Sequence, residues 1–375
     1  MNKRIAAMVL AASFVLTAGC GNTSRKTEKK SSGDVTATEY KAGDYVTLGR
    51  YKGVTVTLTK SYKADDAAVK DYENTLITNA GGFTKDSSQT TVQKDSIVNV
   101  DYKGMKDGVA FDGGTASDVT IDVANNQDAS SGTGYIDGFT DGLVGAKVGD
   151  TVDSKVTFPE DYQSADLAGQ EVTFEFKVNY ICKKLTADSV DDDFLEKNFN
   201  VDSKDAFSDY AKKKLEENNE SEKASDTRQL VMDAVNKNSK VKSFPKGLIA
   251  ERTQNLKKQY MTQNGITKDQ WKDFLKQNGT TEEKFDEQVK KTVENNVTTE
   301  LIFTAIADKE NIKLDESGFK SYVSNLMSSA GSSDENSLYK QYGTSASSGK
   351  TYLQMIYRVN KALEFCVDNA TVKEK

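Results

Sequence analysis

Histidine is missing from all 375 residues. That removes Ser-His-Asp and Cys-His catalysis, together with every histidine-containing zinc or iron site. Cysteine is scarce too: Cys20, Cys182 and Cys366 are too scattered for a CxxC metal or redox motif. Cys182 and Cys366 read as two separately buried thiols, with a disulfide between them as the alternative. A basic surplus is also lacking. The formal net charge is -7 and the pI is near 5.1, whereas binding a phosphate backbone needs a cationic face, which excludes nucleic acid as a partner. The apolar run from Ile5 to Ala18 falls short of the roughly 20 residues a helical membrane span needs. What is present is ordinary for globular protein: 36% hydrophobic and 9% aromatic residues, on a chain long enough for two or three domains.

The first twenty residues, "MNKRIAAMVLAASFVLTAGC", have a basic start, an apolar stretch and small residues before a cysteine, which is the build of a secretory signal. "LTAGC" resembles the bacterial lipoprotein box, which implies lipidation of Cys20 as the mature N-terminus. A plain signal peptide cut elsewhere leaves Cys20 unexplained. Residues 21–42 follow as a polar tether rich in Ser, Lys and Gly. The expected location is the outer face of the cytoplasmic membrane of a Gram-positive cell, held by a lipid anchor.

Residues 43–94 read as a strand and a helix that pack with the C-terminal region. "GVTVTLT" puts Val54, Val56 and Leu58 on one strand face, and "DDAAVKDYENTLITNA" has helical spacing ended by "GG". Residues 95–184 are rich in short strands and Gly turns: "SIVNVDY", "DVTIDV", "TVDSKVTF" and "EVTFEFKVNYI" alternate most clearly. "DYKGMKDGVAFDGG" (101–114) reads as two strands joined by a Gly turn. From residue 185 glycine thins out and helical periodicity takes over, with Phe285, Val289, Val293, Val297 and Leu301 at steps of four. Helices are expected at about 203–237, 246–263, 267–277, 315–329 and 350–370, with "SSAGSSDENS" and "YGTSASSG" as breaks. "DSVDDDF" (188–194) lacks the glycine and terminal glutamate of an EF-hand and reads as an acidic helix start.

Three strings then stand in order across the middle: "VDYKGMKDGVAFDGGTASD", "YIDGFTDGLVGAKVGD" and "VTFPEDYQSADLAGQEVTFEFKV". Together they resemble the FKBP-type peptidyl-prolyl isomerase domain, in the version found in the trigger factor family. "LGRYKGVTVTL" resembles the family's entry into that domain, and residues 185–375 resemble its C-terminal chaperone domain. The family's ribosome-binding domain has no counterpart in the sequence, so ribosome binding is not expected. The resemblance implies an α+β fold: a half-open antiparallel sheet wrapped around a helix, joined to a mostly α-helical domain. It implies catalytic roles for Tyr102, Phe111, Asp112, Ile136 and Phe139. Tyr102 and Phe111 would line a proline pocket, Asp112 would stand at its edge and Phe139 would form its floor on the helix. The Ile136 N–H would donate to the substrate carbonyl. Val119, Tyr135, Tyr162, Leu167 and Phe176 would complete the substrate wall. Read as residues alone, alternating aromatic and β-branched positions are core, and Ile121, Phe174 and Val178 are assigned there.

The expected function is prolyl isomerisation and chaperoning of unfolded or proline-containing polypeptide clients outside the membrane, with neither cofactor nor metal. Two alternatives remain. One is a holdase whose isomerase fold is only a scaffold. The other is a solute-binding lipoprotein, which calls for a two-lobed α/β chain.

Overall fold

The computed structural model describes residues 40–160 and 162–374, apart from the side chains of Thr262 and Gln263. Cys20, the expected anchor and the tether up to residue 39 lie outside the described residues. The chain opens with one helical turn, α1 (Ala42–Tyr45), then β1 (Val46–Thr47), β2 (Thr55–Leu58), α2 (Asp66–Asn79) and β3 (Phe83–Lys85). Next come β4 (Ile97–Lys106), β5 (Val109–Asp122), β6 (Gln127–Asp128), a 3-10 turn (Asp141–Leu143), β7 (Thr151–Thr157) and β8 (Glu171–Lys184). The remainder is α3 (Asp192–Phe199), α4 (Lys204–Asn238), β9 (Lys240–Val241), α5 (Leu248–Gln263), α6 (Trp271–Gln277), α7 (Glu282–Lys309), α8 (Glu316–Ala330), α9 (Glu335–Tyr342), α10 (Ala346–Asp368) and β10 (Thr371–Glu374).

The described residues form two compact units, one within 62–221 and the other made of 40–61 with 222–374. These cut the chain elsewhere than at 94/95 and 184/185. Residues 62–94 fall with the strands because Ile77 of α2 closes a buried cluster with Val190, Leu195 and Phe207. Residues 40–61 fall with the helices, β2 pairing in parallel with β10.

In the strand-rich unit, β8 is central. It pairs antiparallel with β4 on one side and with β7 and β3 on the other, and β5 and β6 extend the sheet beyond β4. Val172, Phe174, Phe176 and Val178 of β8 alternate into the core. The phase then changes, because Asn179 is extra in the ladder (Asn99 faces Tyr180, Val100 faces Val178), and Ile181 becomes the next buried residue. The antiparallel sheet and helical C-terminal region match the expected fold class, and the parallel α/β architecture of a solute-binding protein does not appear among the described residues.

The helix against the sheet is short, a single 3-10 turn over Asp141–Leu143. Residues 136–146 run instead through successive i to i+3 turns. Glycine explains it: Gly138 and Gly145 stand at φ of +82° and +90°, in the left-handed region. A Cβ on Gly142 would lie 2.2 Å from the Asp153 carbonyl oxygen, so the turn sits closer to β7 than a regular helix would.

The helical unit is organised on α7. Its stripe Phe285, Val289, Val293, Val297 and Leu301 is buried, as the spacing predicts, and from Leu301 to Ala307 burial extends all round the helix. A charged pair is enclosed beside it. Arg252 donates from Nε and Nη2 to the two Glu300 oxygens, both at 2.9 Å, with the side chains 6% and 1% exposed. Tyr40 donates to the same carboxylate at 2.6 Å. "DSVDDDF" starts α3 as expected, with Asp191 accepting from the Phe194 N–H.

Candidate active site

The hairpin joining β4 and β5 turns at Asp107 and Gly108, whose φ of 52° and 79° suit a tight two-residue connection. Beyond it the ladder breaks in an informative way. Met105 pairs with Ala110 and Lys103 with Thr115, so Phe111, Asp112, Gly113 and Gly114 stand opposite Gly104 alone. The strand bulges out here, and the two glycines make the bulge feasible. Gly113 takes φ of +78°. A Cβ on Gly114 would lie 2.5 Å from the Phe111 ring, and one on Gly104 would lie 2.5 Å from Phe111 and 2.7 Å from Phe174. The Phe111 ring therefore lies in a cleft that only missing side chains leave open. Asp112, next to it, is exposed, and its carboxylate has no partner among the described residues.

Phe111 meets Phe174 at 5.8 Å and Phe158 at 6.0 Å between ring centroids. Phe174 in turn meets Tyr102 at 6.0 Å and Phe139 at 4.7 Å, edge to face. Phe174, assigned from sequence to plain packing, is the hub that joins Tyr102, Phe111 and Phe139. Phe176 is fully buried and meets Tyr102 and Phe139 at 5.9 and 4.9 Å, a supporting layer where a substrate wall was expected. Val119, Tyr135 and Ile136 pack half-buried on the same cluster, and Leu167 is buried in it. Tyr162 stands apart, 41% exposed, its ring 4.4 Å from Phe158. Phe139 sits in the turn described above rather than on a helix and is 3% exposed, with Tyr135 stacked on it at 4.3 Å and 21°.

Ile136 is held by a residue that the sequence reading passed over. Asn126, at φ of 49°, accepts from the Tyr135 N–H at 2.9 Å through its backbone carbonyl, and its Nδ2 donates to the Tyr135 carbonyl at 3.3 Å and to the Ile136 carbonyl at 2.9 Å. The Tyr135 carbonyl shares its peptide plane with the Ile136 N–H, so that plane is held, and the Ile136 N–H has no hydrogen-bond partner among the described residues. The loop that presents Asn126 is folded. β6 pairs with the end of β5, and Asp128 accepts from the Ser130 N–H, the Ser131 N–H and the Ser131 hydroxyl. Burial, then the nearby Asp128 carboxylate, raise the Tyr102 and Tyr135 phenols above their ordinary range, so both are neutral donors at physiological pH. On the other face Asp101 accepts from the Asp118 N–H at 2.9 Å and from Asn179, pinning the second irregularity in β5; those bonds hold its carboxyl below the usual range. No group of three or more metal-ligating side chains occurs among the described residues. A free donor beside a ring cluster, with an exposed carboxylate nearby, can bind an extended peptide carbonyl and an apolar ring without covalent chemistry.

Two family profiles match the chain. The FKBP-type peptidyl-prolyl cis-trans isomerase profile matches residues 88–181, and the profile described as bacterial trigger factor protein (TF) C-terminus matches residues 204–368. The chain is similar to the trigger factor of Agathobacter rectalis, 29% identical over 333 residues, covering 88% of this chain and 71% of that one. It is 30% identical to the trigger factor of Clostridium botulinum strain Loch Maree over 331 residues, covering 87% and 72%. A solved chain described under "Promiscuous Substrate Recognition in Folding and Assembly Activities of the Trigger Factor Chaperone" aligns at a TM-score of 0.43 and 14% identity, covering 86% of this chain and 72% of that chain.

Proposed function

The chain belongs to the trigger factor family, and on that premise we propose that it is a folding chaperone that isomerises X-Pro bonds of unfolded clients outside the cell membrane, tethered by a lipid on Cys20. The observation that supports isomerisation best is the unpartnered N–H of Ile136, a residue packed against the cluster that includes Tyr102, Phe111 and Phe174. An X-Pro bond turns over unaided in tens to hundreds of seconds, across a barrier of roughly 18–20 kcal/mol set by amide resonance. Lowering that barrier needs no nucleophile. An apolar ring cluster takes up the pyrrolidine and favours the twisted amide over its better-solvated planar forms. The Ile136 N–H, its plane fixed by Asn126, is a preorganised donor to the client carbonyl, and Asp112 supplies a negative charge at the rim. The test is proline-limited refolding of a model protein by the full chain. Phe111→Ala should cut the acceleration by at least about tenfold, and an undiminished rate overturns the isomerase reading.

One observation favours a second reading, a holdase without isomerase activity. Phe139 is 3% exposed under the stacked Tyr135 ring, so a proline ring reaches it only when Tyr135 swings aside. Tyr135→Val separates the two: it raises the refolding rate if Tyr135 gates a working pocket and leaves the rate at the uncatalysed value if the fold is a scaffold. The anchor is tested by mass spectrometry of the mature N-terminus, where a diacylglyceryl adduct on Cys20 is expected and an unmodified or absent Cys20 contradicts it.

A further inference from the structure

The segment 123–135, between β5 and the site turn, has no regular element beyond the two residues of β6, yet it carries Asn126 and Tyr135, which hold the Ile136 peptide plane. The bonds that give it one shape converge on Asp128. Its Oδ1 atom alone accepts three hydrogen bonds, from the Ser130 N–H at 3.0 Å, the Ser131 N–H at 2.7 Å and the Ser131 hydroxyl at 2.9 Å. Its backbone N–H donates to the Thr133 carbonyl at 2.8 Å, and its carbonyl accepts from the Gly132 N–H at 3.0 Å. The turn 128–133 therefore closes on one residue. That turn is fastened at both sides. Toward the sheet, Asp128 faces Ile121 in the β5–β6 ladder, and the Ala129 N–H donates to the Thr120 carbonyl at 2.9 Å. Toward the site, Gln127 bridges Gly134, and the next bond along is the Tyr135 N–H on the Asn126 carbonyl. The path from the Asp128 carboxylate to the Ile136 N–H is continuous.

We propose that Asp128 is a positioning residue for prolyl isomerisation: by closing the 128–133 turn it sets how Asn126 meets Tyr135, and so where the Ile136 N–H points. This rests on the isomerase reading above. Without a side-chain acceptor, the Ser130 and Ser131 N–H groups turn to water, and a loop with Gly132 at φ of 68° regains backbone freedom. With it, the donor is ordered before a client carbonyl arrives. The role needs an acceptor oxygen rather than a charge, because all three bonds end on one atom, and the amide oxygen of an asparagine can take the same bonds. The charge has its own reach, since it adds to the effect of burial in raising the Tyr102 and Tyr135 phenols. Acceptor and charge are separable by substitution.

The experiment follows isomerisation of an Ala-Leu-Pro-Phe peptide by exchange NMR, together with amide hydrogen exchange, in the full chain as wild type, Asp128→Asn and Asp128→Leu. Asp128→Leu should lower kcat/KM on the order of tenfold. It should also speed exchange of the Tyr135 amide at least about tenfold while the β4 and β8 amides exchange as in wild type. Asp128→Asn should keep both values within about twofold of wild type. Wild-type kcat/KM in Asp128→Leu overturns the proposal, and so does an equal loss in Asp128→Asn, which would assign the effect to the charge. Lost protection throughout β4 and β8 in Asp128→Leu also overturns it, by making Asp128 a residue of the fold. In these three cases wild type still isomerises the peptide and the isomerase reading stands. A peptide that wild type leaves uncatalysed removes that reading and this role together.

Discussion

The strand-rich unit and the helical unit treat their polar groups in opposite ways. Around Ile136 the chain holds a peptide plane by the Asn126 amide on the Tyr135 carbonyl and leaves the Ile136 N–H unpaired in a segment packed on half-buried rings. In the helical unit it encloses a full ion pair, Arg252 with Glu300, and adds the Tyr40 hydroxyl and the Tyr352 ring, 4.3 Å from the guanidinium carbon, until no strong donor faces solvent. Burial would lower the Arg252 pKa, but Glu300 outweighs it and holds the charge in place, while burial and then Glu300 raise the Tyr40 phenol. The contrast separates two uses of desolvation. An uncompensated group is a site waiting for a ligand, and a compensated one specifies packing.

The largest effect should come from opening the enclosed pair. Glu300→Ala leaves the buried guanidinium with Glu251, at 2.9 Å, as its remaining carboxylate partner and should cost about 3 kcal/mol in urea unfolding of the helical unit, with isomerisation under native conditions unaltered. A loss below about 1 kcal/mol would mean that the pair is solvated. Next in size, Gly104→Ala places a methyl group into the Phe111 and Phe174 rings. Overpacking should cost about 1–3 kcal/mol, and the refolding acceleration should fall at least about tenfold. If the acceleration stays intact, the Phe111 position does not matter to activity. Asn126→Ala is expected to lower kcat/KM about tenfold while costing about 1 kcal/mol of stability, and rescue by no other amide position would place the effect at Ile136.

The smallest effect concerns Cys182 and Cys366, the free thiols among the described residues, one in each unit. Burial pushes Cys182 up to about 11 and Cys366 up to about 12. An unfolded thiol ionises near pH 8.5. The native state therefore holds the extra proton between these values, so the contribution to stability is complete below about pH 8.5 and is lost as pH rises through 11 and 12. Alkylation at neutral pH should be slow for both thiols until urea is added, and fast labelling of one in native protein would show that its unit opens.

Much of this was readable in the order of residues. The alternation of β8 and the four-residue steps of α7 appear where periodicity put them, because both elements bury one defined face. What escaped reading was set by local exceptions to periodicity. The turn at 136–146 has helix-like apolar spacing, but left-handed glycines at 138 and 145 interrupt it. Two stretches that look like breaks are helix starts. Asp334 caps α9, and Ser345 with Ser348 forms a capping box for α10, so serine-rich composition signals initiation there. The role of Phe174 depends on a bulge that brings Phe111 over it, and Asn126 acts on the backbone carbonyls of Tyr135 and Ile136, which no sequence pattern marks. Lining residues on strands could be named in advance. The residues that aim them depend on register shifts, which no single-residue propensity encodes.

The most direct test of the central claim is the rate of proline-limited refolding with the full chain, measured for wild type, Phe111→Ala and Asp112→Asn. The account predicts a catalysed slow phase with wild type, its loss by at least about tenfold in Phe111→Ala, and a smaller loss in Asp112→Asn. A slow phase that wild type leaves unchanged while still suppressing aggregation would contradict it, making the ring cluster a scaffold and the chaperone unit the working part.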